Sequence, residues 1–208
     1  MPVTTYVTDA TGSLTNLRDQ LHDAVSNATS MTSSAIDVDD VDVVFYDEPN
    51  DTIPEWGIGG TTMGKHLVLV AVDPSRQLVA EYLHSTLVHE LHHAMRWRVA
   101  TLSEDLGDML ASEGLAVLLE SELIRAEPFY AKVDVLPVHV ELATTHLYDR
   151  PCNTGRWFFG TADVPKSFGY SLGYQMCRRY AEASGKNARE LLVTPTNELI
   201  AGLPLVAQ

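Results

Sequence analysis

The sequence predicts an α+β fold, with a small early sheet followed by a mainly helical body. Three observations carry this. Apolar and β-branched runs bounded by turn residues precede Pro74, helical periodicity takes over from Ser75, and no Pro-, Gly- or Ser-rich linker separates the two regions. The 208 residues suffice for one sizeable core, so 1–208 is expected to form a single domain. Its sheet-containing part is expected over about 1–100 and its helical part over about 101–208.

Each element has a local reason. Leu14, Leu17, Leu21, Ala24, Val25 and Ala28 recur at helical spacing within Ser13–Met31, with Ser13 as the expected N-cap. Val41–Tyr46 reads as a strand stopped by Asp47-Glu48-Pro49-Asn50. Trp56–Gly64 is rich in Gly and Thr and suits an irregular or edge strand, whereas Lys65–Val72 is a stronger strand ended by Asp73-Pro74. Leu78, Tyr82, Leu83, Thr86, Leu87, Glu90, His93, Ala94 and Trp97 then mark a helix starting near Ser75. After a break at Thr101-Leu102-Ser103, a second helix is expected over about Glu104–Ala126, capped by Ser103. Further helices are expected over Pro137–Tyr148 and Ser167–Ala183, with short ones over Asn187–Leu192 and Thr196–Ile200. Trp157-Phe158-Phe159 reads as core.

Charge and cysteine content narrow the classes of function. Asp and Glu number 28 against 14 Lys and Arg, a net charge of −14. No basic face for phosphate contacts follows from that balance, so neither nucleic acid nor an anionic membrane surface is the expected partner. Cys152 and Cys177 form no CxxC pair and read as small buried or half-buried thiols. Met1-Pro2-Val3-Thr4-Thr5-Tyr6 lacks a basic start and an apolar segment, and the longest apolar run, Leu67–Val72, is too short to span a bilayer. A cytoplasmic protein is the expectation.

The chemistry lies in His89-Glu90-Leu91-His92-His93, which contains His-Glu-x-x-His. Residues four apart on a helix lie about 40° apart around its axis and one turn along, so His89 and His93 can offer ring nitrogens to one metal ion. Glu90 stands beside the first ligand, where it can take a proton from water rather than bind metal. Zinc suits two imidazoles and an open position. His92 is expected on the helix flank, because only His93 completes the spacing around Glu90. Arg96 and Val99 stand where a longer three-histidine motif needs Gly and His. The better third ligand is Glu113, 20 residues beyond His93 in Ala111-Ser112-Glu113-Gly114-Leu115-Ala116. Among the remaining histidines, His22, His66, His84 and His139 lack a partner at ligand spacing and read as structural or surface residues.

His89-Glu90-x-x-His93 followed by Ser112-Glu113-Gly114-Leu115-Ala116 resembles the gluzincin class of zinc metallopeptidases. More narrowly it resembles a family of bacterial predicted Zn-dependent proteases, largely uncharacterised. The strand and turn Leu67–Pro74, Trp157-Phe158-Phe159-Gly160 and Gly169-Tyr170-Ser171-Leu172-Gly173-Tyr174 agree with the narrower match. The resemblance implies a zincin-like fold whose edge strand packs on the active-site helix, and Zn2+-dependent hydrolysis of a peptide or protein substrate. It makes His89, His93 and Glu113 the metal ligands and Glu90 the general base. The edge strand would be Trp56–Gly64 or Lys65–Val72, with Gly59 and Gly60 leaving room for substrate.

Other roles stay open. The best-known gluzincins carry an Asp four residues after the ligand Glu; here that position is Val117, so Asp105, Asp108, Glu120 or a backbone carbonyl must orient a zinc histidine instead. An oxyanion donor is also required, from Tyr170, Tyr174 or His146. Tyr170 is preferred because Gly169 beside it permits close approach. Two further readings are a zinc hydrolase of a non-peptide amide and a catalytically weak binding or regulatory protein that keeps the fold.

Overall fold

Short β-branched runs assemble a four-stranded sheet in the first of two units, Met1–Arg98 and Val99–Gln208, of a computed structural model that describes residues 3–101 and 103–203. The strands are β1 (Thr4–Val7), β2 (Asp42–Asp47), β3 (Ile58–Gly64) and β4 (Leu67–Val72), in the order β1-β2-β4-β3. β2 runs parallel to both β1 and β4, and β3 runs antiparallel to β4. The sheet is therefore mixed. Its inner strands bury Val43, Phe45, Val68, Val70, Ala71 and Val72, as strands flanked on both sides require. β3 takes an outer place, which its glycines and threonines tolerate because it must satisfy only one neighbour. β4 is an inner strand, so the edge is the first of the two strands expected to supply it. The sequence reading missed β1, whose four residues Thr4-Thr5-Tyr6-Val7 show no clear alternation.

α1 (Arg18–Ser33) links the parallel strands β1 and β2 and buries Leu21, Ala24, Val25 and Ala28. A single 3-10 turn, Thr15–Leu17, precedes it. Ser13 is not its cap. The Ser13 hydroxyl donates to Asp47, 2.5 Å away, while Asp9 accepts from the Leu14 amide and the Thr15 hydroxyl. α2 (Ala80–Val99) begins five residues after the expected start, because Ser75 is spent on a turn. Its amide and hydroxyl both donate to Asp73 Oδ1, at 3.0 and 2.6 Å. Every residue from Ser85 to Arg96 is buried.

The second unit is helical: α3 (Leu106–Ile124), α4 (Pro137–Thr145), α5 (Phe168–Ser184), α6 (Ala188–Leu191) and α7 (Thr196–Leu199). Part of the expected break, Leu102, lies outside the described residues. Asp105, not Ser103, caps α3: its Oδ1 accepts from the Asp108 amide at 2.9 Å, and Ser103 donates to the carboxylates of Asp105 and Asp108. Asn187 and Glu190 form a reciprocal capping box on α6. A π-helical turn, Gly155–Phe159, separates the three aromatics: Trp157 and Phe158 are buried but Phe159 is 67% exposed. Core is therefore correct for two of them and wrong for Phe159. Among the described residues, no helix is long and apolar enough to cross a membrane.

Candidate metal centre

α2 delivers its two histidines as the spacing requires. His89 Nε2 and His93 Nε2 lie 3.0 Å apart, with the rings edge to face. Zn–N bonds of about 2.0–2.1 Å at a tetrahedral centre put two nitrogens about 3.3 Å apart, so the pair needs almost no adjustment to share one ion. Glu113, half-buried on α3, offers a carboxylate oxygen to the same group: one ligand atom from each of His89, His93 and Glu113 lies within 4.8 Å of the others. Two imidazoles and one carboxylate are a donor set that zinc accepts. The group can hold a metal ion. His92, expected on the flank, is instead fully buried.

Glu90 is held by the sheet. The Thr62 hydroxyl of β3 lies 2.7 Å from Glu90 Oε2 and 2.9 Å from the Glu90 carbonyl oxygen. Gly60, on the same face of β3 two residues earlier, has no side chain for a reason: a Cβ there would fall 2.5 Å from Glu90 Cγ, 2.8 Å from Oε1 and 2.8 Å from Thr86 Cγ2. Gly60 thus admits the Glu90 side chain itself, and a Cβ on Gly59 would meet the Asp51 carbonyl at 2.3 Å. Neither glycine leaves empty room for substrate. The edge strand β3 packs on α2 at Glu90.

Pairing on β3 also fixes which backbone groups face outward. The Asp73 amide donates to the Gly57 carbonyl, so residues 57, 59 and 61 turn their polar groups toward β4. By the antiparallel alternation, the N–H and C=O groups of Gly60 and Thr62 point to the free edge. Ile58, in the same phase, accepts from the Ile53 amide on that side.

The helical unit places Glu113 by close backbone contact. A Cβ on Gly114 would lie 2.2 Å from the Gly173 carbonyl oxygen, and one on Gly173 would lie 2.3 Å from that of Leu110. α3 and α5 therefore touch backbone to backbone beside Glu113. Tyr170, one turn before Gly173 and half-buried, has its ring 5.1 Å from that of Tyr130 and 5.0 Å from that of Phe158. Gly169 does not open an approach to it, because a Cβ there would meet the Phe158 ring at 2.6 Å.

Tyr130, which the sequence reading missed, donates to Glu120 at 2.6 Å. Burial first, then the Glu120 charge and hydrogen bond, with Tyr170 and Glu113 adding to them, hold its phenol well above the ordinary tyrosine range. It is a protonated donor at neutral pH. Tyr174 donates to Glu127 at 3.0 Å, and His146 Nδ1 pairs with Asp149 at 2.6 Å. Of the acids considered for orienting a zinc histidine, Asp105 and Asp108 serve the start of α3 and Glu120 accepts from Tyr130.

No curated protein matches the chain. A family model described as "Predicted Zn-dependent protease (DUF2268)" matches residues 21–201, a span that takes in β2, β3, β4, the metal-ligand group and every later helix, so the chain belongs to that family.

Proposed function

We propose that this protein is a zinc-dependent peptidase of the gluzincin type, with residues 1–208 acting as one zincin-like catalytic domain in the cytoplasm. The observation that carries the reading is the convergence of His89, His93 and Glu113 within 4.8 Å, with Glu90 next to the first of them. His89, His93 and Glu113 would hold the ion. Bound zinc supplies Lewis acidity, making water more acidic and a scissile carbonyl more electrophilic. Glu90 takes the proton from the attacking water and passes it to the leaving amine. It is only 7% exposed, which keeps its carboxylate in one place and bulk water away.

The outward N–H and C=O groups of Gly60 and Thr62 suit an extended peptide added as a strand along β3, because such pairing reads backbone rather than side chains. This supports a peptide over a small non-peptide amide. Tyr170 is the proposed donor to the oxyanion: its ring is fixed against Tyr130 and Phe158, one turn before the Gly173 that packs on the helix carrying Glu113.

The test is cleavage of a quenched fluorogenic peptide library by protein whose zinc content has been measured. One zinc per chain, cleavage by wild type, and loss of cleavage with zinc retained in Glu90→Gln are expected. Absence of zinc, or cleavage undiminished in Glu90→Gln, overturns the reading.

A further inference from the structure

We propose that Thr62 is a positioning residue for Glu90: by holding Oε2 it leaves Oε1, over the bare Cα of Gly60, as the oxygen that exchanges protons. The inference rests on the reading of Glu90 as the base. Thr62 has one hydroxyl hydrogen, and its oxygen lies within reach of two acceptors on the same residue, Oε2 at 2.7 Å and the main-chain carbonyl at 2.9 Å. That single hydrogen is shared between the two acceptors, and either way it restrains one glutamate: the shorter contact holds the carboxylate, and the other ties the strand to the helix backbone. Oε1 lies on the other side of the carboxylate, 2.8 Å from where a Cβ of residue 60 would sit. The outward backbone groups of the same two residues, Gly60 and Thr62, mark the free edge of β3. A glutamate side chain on a helix has three rotatable bonds, and a fixed carboxylate is what general-base geometry requires. The device is built from the strand, so the residue that aims the base also lies in the strand proposed to pair with substrate.

The experiment compares wild type, Thr62→Val, Thr62→Ser, Glu90→Gln and the Thr62→Val/Glu90→Gln double variant. Each is assayed for zinc content, for melting temperature of the metal-free protein, and for kcat and KM on one fluorogenic peptide from the cleaved library. Thr62→Val is expected to bind one zinc and to lose about 10–100-fold in kcat, the usual effect of removing a group that orients an active-site residue. KM is expected to stay within about twofold, because Thr62 acts through Glu90 and its outward backbone groups are unchanged. Thr62→Ser, which restores the hydroxyl, is expected to recover most of the loss. The melting shifts of Thr62→Val and Glu90→Gln are expected to be non-additive, since both alter the same contact: glutamine keeps an amide oxygen that can accept from Thr62 but loses the charge that strengthens the bond.

Wild-type kcat in Thr62→Val, a Thr62→Ser variant as impaired as Thr62→Val, or additive melting shifts overturn the proposal while leaving Glu90 as base. Full activity in Glu90→Gln overturns the base and this proposal with it.

Discussion

His89 Nε2 and His93 Nε2 face each other at 3.0 Å on successive turns of α2. Nitrogens that close repel unless a proton or a cation stands with them, and Glu113 brings a carboxylate oxygen to the same group. Zinc is therefore expected to stabilise the folded chain by linkage, by about 4 kcal/mol when free zinc is a thousandfold above its dissociation constant. His93→Ala should lose the zinc-dependent rise in melting temperature. His92→Ala should lower the melting temperature itself, because His92 is fully buried, yet keep the zinc-dependent rise. Scanning fluorimetry with and without a chelator checks both; a zinc-dependent rise kept by His93→Ala and lost by His92→Ala would make His92 the ligand instead.

Gly60→Ala tests the close approach of β3 to Glu90, the proposed base. Gly60 has no left-handed φ, so alanine costs no backbone strain, and its effect comes from the new methyl alone. That methyl would sit 2.5 Å from Glu90 Cγ, so the glutamate must rotate away. A displacement near 1 Å costs about a hundredfold in rate. The expected result is zinc retained at one equivalent and kcat down by about that factor. An active Gly60→Ala enzyme would mean that the observed Glu90 rotamer is not the working one.

How much was legible in the sequence follows from distance along the chain. The meeting of His89 and His93 was readable because helix geometry alone brings positions four apart together. Glu113 was readable as a carboxylate in an otherwise apolar stretch of the next helix. Thr62 and Gly60 were not. Their contacts with Glu90 bridge 28 residues from Thr62 and 30 from Gly60, and depend on which face of β3 each presents; a slip of one residue would put Thr61 there instead. The same limit explains Ser13 and Ser103. Both sit where a cap belongs, but the aspartates Asp9 and Asp105 accept the amides instead, and the serines donate to Asp47 and to the Asp105 and Asp108 carboxylates. Phe159 was misread because a π-helical turn shifts the periodicity that would have buried it.

Asp105 gives a pH prediction with a definite sign. Burial alone would raise its pKa, but the Ser103 hydroxyl, the Asp108 amide and Arg150 outweigh it and hold the carboxyl below the ordinary 3.8. A folded pKa below the unfolded one means the contribution is fully present above the unfolded value and is lost as pH falls through the folded one. Asp105→Ala should therefore cost about 0.5–2 kcal/mol near neutral pH, the usual value of an N-cap. The difference from wild type should shrink below about pH 3.8 as the native carboxylate protonates. Urea unfolding across that range checks it, and a gap independent of pH would assign the cost to packing.

Gly114→Ala probes how Glu113, the proposed ligand on α3, is held. A methyl there would meet the Gly173 carbonyl at 2.2 Å, its carbon at 2.4 Å and Cys177 Sγ at 2.8 Å. Two of the three are backbone, so no side chain can turn aside and the helices must part. Overpacking of this kind costs about 1–3 kcal/mol, and Gly173→Ala should cost a similar amount, because it meets the Leu110 carbonyl at 2.3 Å. The two losses should not add, since either methyl separates the same pair of helices and the second enters space already opened. Because Glu113 adjoins Gly114 and Tyr170 lies one turn from Gly173, the separation should also weaken zinc binding and lower kcat. Denaturant titration of the single and double variants, with zinc affinity measured alongside, reads all of this; strictly additive losses with unchanged zinc affinity would mean that the contact supports the fold without setting the site.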